Sequence, residues 1–236
     1  MQRQFELCVE TLQACEAAVA GGADRIELCA ALTEGGVTPG HGFLHEAMAT
    51  ASLPVHVLLR PRSGNFVYSA AEFRMIAGDM EDALAAGAAG VVVGLLTVDG
   101  TIDTERTAEL IRLAAGRSVT FHRAFDRVAD QASALETLIG LGCHRVLTSG
   151  GRPTVTEGKA ALAALALQAR SRIRVAAGGG ITLDNAPAFT AIQGLDLHAS
   201  LRRKSAAVAG DPLWNDMDSG IAVDDVRRMH SIVHAV

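Results

Sequence analysis

The run FELCVETLQACEAAVAGGADRIELC, residues 5–29, decides how this chain folds. Apolar and polar residues alternate in Phe5–Val9 and again in Arg25–Cys29, the period of a half-buried strand. Between them Thr11–Ala20 is Ala-rich, opens on a capping threonine and runs into Gly21, the marks of a short helix. A strand, a helix and a strand in so short a space make one parallel crossover unit.

Working outward, the unit recurs along the chain. Further strands are expected at Val55–Arg60, Gly90–Leu96, Val119–Arg123, Arg145–Ser149, Ile173–Ala177 and Asp196–Ser200. Helices are expected at Gly42–Ala51, Ser69–Ala86, Thr104–Ala115, Ala132–Leu141, Thr154–Arg170, Leu183–Ile192 and Val223–Val233. Ser69 with Glu72 three residues on reads as a capping box. Eightfold alternation in 236 residues, with no Pro/Gly/Ser-rich linker, predicts a single-domain α/β fold, a (β/α)8 TIM barrel over residues 1–236. A doubly wound open sheet would place fewer strands and a glycine-rich first turn; here that turn is VETLQA, residues 9–14.

Composition narrows the function classes. A net charge of −5 gives no electrostatic case for nucleic acid or an acidic membrane. No apolar run is long enough to span a bilayer, and MQRQFELC lacks the apolar stretch of a secretion signal. Four cysteines without dense spacing suit reduced thiols in the cytoplasm, and Ala-rich exposed helices suit a homo-oligomer.

Parity sorts the strand side chains. If Phe5, Leu7, Val9, Ile26 and Leu28 face the helices, the interior receives Glu6, Cys8, Arg25, Glu27 and Cys29. By the same rule it receives His56, Leu58, Arg60, His122, Asp196, His198 and Ser200. Glu6, Arg25 and Asp196, joined by Arg174, lie low and read as an ion-pair floor. Glu27, His122, His198, Cys8, Cys29, Arg60 and Ser200 lie near the strand carboxyl ends, where barrel enzymes keep their chemistry.

Four constellations stand out. In FHRAFD, Phe121–Asp126, His122 with a near carboxylate is suited to acid–base work, and Asp126 can turn back toward His122 or Arg123. Arg60 and Arg62 in RPR offer forked donors to a carboxylate or phosphate. TSGG, with Thr148 and Ser149, and AAGGG, with Gly178, Gly179 and Gly180, form turns that together with Arg123, Ser200 and the following LRRK suggest an anion pocket. Cys8 and Cys29, at the ends of neighbouring strands, are a possible soft-metal pair, and Glu27, His122 and His198 a separate set for a harder ion. Cys8 is level with Glu27 and Cys29 nearer the mouth, so the thiols need not meet face to face. Cys15 and Cys143 read as core residues.

Taken in order, ELCV, GGADRIELC, EGGVTP, RPRSGNFVYS, FHRAFD, RVLTSG, GGG and HAS run through nearly the whole chain. On these motifs the sequence resembles the CutC copper homeostasis family. The resemblance implies a (β/α)8 barrel, a cytoplasmic homo-oligomer and a role in copper homeostasis, with Cys8 and Cys29 as proposed Cu(I) ligands. The residues themselves leave a second reading open: an enzyme of the isomerase or lyase class on a small anionic, perhaps phosphorylated, substrate. Glu27, His122, His198 and Asp126 would then handle protons, while the arginines and glycine turns hold the anion. No inward lysine serves a Schiff-base aldolase. Against the family pattern, Asn65 replaces an aspartate, AAGGG stands for MPGGG, and Leu201 takes a place usually held by a small residue, which would narrow the pocket.

Overall fold

The computed structural model describes residues 2–202 and 220–235. Eight parallel strands close in sequence order: β1 (Phe5–Val9), β2 (Arg25–Leu28), β3 (Val55–Leu58), β4 (Gly90–Val93), β5 (Ser118–Phe121), β6 (Arg145–Thr148), β7 (Arg174–Ala177) and β8 (Leu195–Ala199). Closure is made by β1 on β8, with Phe5 opposite Leu197 and Glu6 opposite His198. The helices are α1 (Leu12–Gly21), α2 (His41–Thr50), α3 (Ala70–Ala85), α4 (Thr104–Leu113), α5 (Gln131–Leu141), α6 (Lys159–Ala169), α7 (Ala186–Thr190) and α8 (Val223–His234). No helix among the described residues is long and apolar enough to cross a membrane.

Local chemistry accounts for the element ends. Thr11 caps α1 through the Ala14 amide, and Gly22 ends it in the left-handed conformation. Ser69 and Glu72 form the expected capping box of α3. Two helices are shorter than their sequence pattern: α6 starts at Lys159 after a run of turns, and α7 is confined to Ala186–Thr190 with Pro187 in its first turn. Strands β3, β4, β5 and β6 stop before Arg60, Leu96, Arg123 and Ser149, so those residues lie in the mouth loops.

Burial follows parity. Phe5, Leu7, Ile26, Val91, Val119 and Val175 pack outward into one continuous core beneath the helices. The interior holds a small separate apolar cluster of Cys8, Cys29, Leu58 and Val92. Polar side chains fill much of the remainder. Arg25 Nε lies 2.5 Å from Glu6 Oε2, and Arg145 Nη1 lies 3.4 Å from the same oxygen. Arg145 also faces Asp196 at 3.6 Å, and Arg174 holds Asp196 through two contacts of 2.7 and 2.8 Å. The ion-pair floor is therefore present, and its hub is Arg145, which sequence reasoning left out although it is the bulkiest fully buried side chain among the described residues.

Candidate active site at the barrel mouth

A cavity of about 300 Å³ opens where the strands end. Glu27, Cys8, His122, His198, Arg60 and Arg123 line it, with Gly179, Gly180 and Ser200 at the rim. Strand register sets their heights: Cys8 is level with Glu27, Glu27 with His56, and Glu6 with His198.

His122 is fixed by its neighbours. Its Nδ1 accepts the Ala124 N–H at 3.0 Å, which places the ring proton on Nε2. Gly94 makes room for the ring: a Cβ there would collide with its Cε1–Nδ1 edge. Phe66 covers the ring at a centroid distance of 5.0 Å. Burial, reinforced by the Arg60 charge, pushes the His122 pKa down to about 3, so the imidazole is neutral. Its Nε2 is buried and makes no hydrogen bond.

His198 and Glu27 are pushed the other way. His198 Nδ1 lies 2.8 Å from Glu6 Oε1 and 3.5 Å from Glu27 Oε2. Burial opposes a charged His198, but Glu27 and Glu6 outweigh it and raise its pKa. Burial raises Glu27 against the pull of His198, and Glu27 Oε2 has no hydrogen bond. Glu6, although fully buried, is held well below the usual carboxylate range by Arg145, Arg25 and His198. The floor therefore reaches into the site: Glu6 holds His198 as a fixed carboxylate, with Glu27 3.5 Å from the same ring nitrogen.

Arg60 is a clamp as well as a wall. Its guanidinium donates to the carbonyls of Glu34, Gly36 and Gly64, lies over the Phe66 ring and leaves Nε buried without a partner. Other expected residues are placed elsewhere. Arg62 is turned away onto Glu72 and the loop carbonyls of Asn65 and Val67. Asn65 serves that loop with a neutral carbonyl oxygen, accepting from Arg62 and from the Val67 N–H. Asp126 does not meet His122; its carboxylate ties β6 to the following turn through Thr148 Oγ1, the Ser149 and Gly151 amides and Arg123 Nε. Thr148 and Ser149 are fully buried in that clamp, and Ser149 Oγ also contacts the Arg152 carbonyl, so neither reaches the cavity. Gly178 packs against Leu147 and His198 rather than lining the cavity. Leu201 leaves it too, at φ 49° with its side chain on the outer core, and does not narrow it. Arg202 lines the cavity and pairs with Glu10 at 2.9 Å. Arg203 and Lys204 lie outside the described residues.

The two thiols do meet. Cys8 Sγ and Cys29 Sγ are 3.5 Å apart and unbonded, with Cys29 wholly buried behind Cys8. Contact with Cys29, then burial and the charges of Glu27 and Glu6, hold the Cys8 thiol well above its ordinary pKa. Sulfurs bound to one ion at about 2.3 Å can be no more than about 4.6 Å apart, so the pair fits a shared soft cation. The donors within reach of one ion here are Cys8, Glu27 and His198, in place of the expected Glu27, His122 and His198.

The CutC family model matches residues 3–203. The chain belongs to the CutC family. Family relatives from Chromobacterium violaceum and Bacteroides thetaiotaomicron are 44% and 46% identical to it, over 88% and 84% of this chain and 84% and 81% of theirs. The solved CutC structure from Streptococcus agalactiae, to which a copper homeostasis role is ascribed, is 32% identical. It superposes with a TM-score of 0.79 over 84% of this chain and 99% of that one.

Phe66 and Leu147 line the cavity of this CutC chain but were missed from sequence. For Phe66 the signal was an aromatic between two arginines and a helix cap; for Leu147 it was inward parity on β6.

Proposed function

We propose that this CutC chain is a cytoplasmic barrel enzyme of the isomerase or lyase class, acting on a small anionic molecule held at the strand carboxyl ends. One observation carries the reading: His122 Nε2, Arg60 Nε and Glu27 Oε2 are buried at one cavity and none makes a hydrogen bond. Buried polar atoms are rarely left without partners, and a ligand carrying acceptors and an exchangeable proton would answer all three. Arg60, whose guanidinium meets only carbonyls in its hydrogen bonds, brings a positive charge to the wall, which favours an anion on entry.

In this reading His122 donates its Nε2 proton in a hydrogen bond to the substrate oxygen on which charge grows. Glu27, its pKa raised by burial, is the base, and His198, held through Nδ1 by Glu6, is the acid. The test is thermal unfolding with inorganic phosphate and small carboxylic acids, comparing the native chain with His122→Asn. Asparagine keeps an acceptor for the Ala124 N–H and removes Nε2. A rise in Tm confined to the native chain supports the reading; equal rises in both would contradict it.

The Cys8–Cys29 contact favours a second reading, Cu(I) as cargo on the two thiols with Glu27 and His198 beside them. Titration against a Cu(I) chelator should show a stoichiometric complex that is lost in Cys8→Ser/Cys29→Ser. Unchanged binding in that variant would sink it.

A further inference from the structure

We propose that His41, His45 and Asp82 form a surface site for a divalent cation of the Zn2+ class, separate from the barrel mouth. His41 and His45 are one turn apart on α2, so their rings share a face, with centroids 4.2 Å apart. Asp82 on α3 offers one oxygen to each: Oδ2 lies 2.9 Å from His41 Nδ1 and Oδ1 lies 3.8 Å from His45 Nε2. The three donors all fall within 4.8 Å of one another. Donors sharing a tetrahedral ion at bonds of about 2.0–2.1 Å lie about 3.3 Å apart, so small side-chain rotations close the set.

An ion pair alone explains half of this arrangement. The carboxylate is within hydrogen-bond distance of the His41 ring, but 3.8 Å is beyond that distance for His45. One cation would engage both rings, which are tilted 46° to each other, together with the carboxylate. Asp82 sits in the last turn of α3, where the helix end favours a nearby positive charge. The side chains are 73%, 47% and 41% exposed, which leaves room for ion entry and for water in the open positions. Two imidazoles and a carboxylate suit Zn2+, and Cu2+ more tightly still.

The experiment is calorimetric titration of the untagged chain with Zn2+, beside His41→Ala/His45→Ala. Both histidines are exposed, so the fold tolerates their removal, and the mouth thiols are common to both proteins. The expected result is one fewer Zn2+ bound per chain in the double variant, and at least a tenfold weaker site in His45→Ala alone. The same stoichiometry and affinity in all three proteins, or no saturable binding to the native chain, would overturn the proposal.

Discussion

Replacing Glu6 by glutamine keeps the side chain's shape and removes the charge that holds the floor to the site. Its carboxylate is 0% exposed, 2.5 Å from Arg25, 3.4 Å from Arg145 and 2.8 Å from His198. One guanidinium at about 4 Å attracts a carboxylate by about 4 kcal/mol at an effective dielectric near 20. Two such attractions disappear, while the variant no longer bears the desolvation of Glu6. Breaking a buried ion pair from one side costs about 3–5 kcal/mol, because the stranded charges remain. With a urea slope of about 2 kcal/mol/M, the unfolding midpoint should fall by about 1.5–2.5 M at pH 7. The wild-type carboxylate has a depressed pKa, so its contribution is present above the unfolded value and fades as pH falls through the folded one. The gap between the two proteins should therefore narrow in acid. A midpoint loss below about 0.5 M, or a gap independent of pH, would refute the account of the floor.

Three further outcomes follow from the same geometry. His56 and His122 both have pKa values near 3, below the unfolded value of about 6.5, so the stability they contribute is complete above pH 6.5 and lost on acidification. Each should remove about 1.6 kcal/mol between pH 6.5 and 5, and His122→Asn should lose that much less in urea titrations at the two values. Asp126→Asn should destabilise by about 2 kcal/mol and speed amide exchange at Ser149 and Gly151, since both amides bond to that carboxylate. Cys8 should react with a thiol reagent at pH 8 far more slowly in the folded chain than in urea, because the folded thiol is protonated and buried.

Much of the barrel was legible because period-two alternation both marks a strand and tells its faces apart. That logic put Glu6, Arg25, Glu27, His56, Asp196 and His198 inside, where they lie buried or nearly so. It also covered Arg145, which opens β6 as Arg25 opens β2 and Arg174 opens β7, yet it went unused in the floor. Loop geometry was the opaque part. Whether Asp126 faces His122 or reaches across to β6 depends on the short helical turn at Arg123–Arg127, which no strand period reports. Thr148 and Ser149 have the composition of an anion loop, but their hydroxyls are already taken by Asp126. Register placed Cys29 two residues above the level of Cys8, yet the side chains span that rise and bring the sulfurs into contact.

If the buried polar atoms at the mouth are built for an anion, a crystal of the chain soaked in inorganic phosphate should hold phosphate in the cavity, accepting from His122 Nε2 and Arg60 Nε within hydrogen-bond distance. Phosphate bound only at other surfaces, with the cavity holding none at saturating concentration, would contradict it.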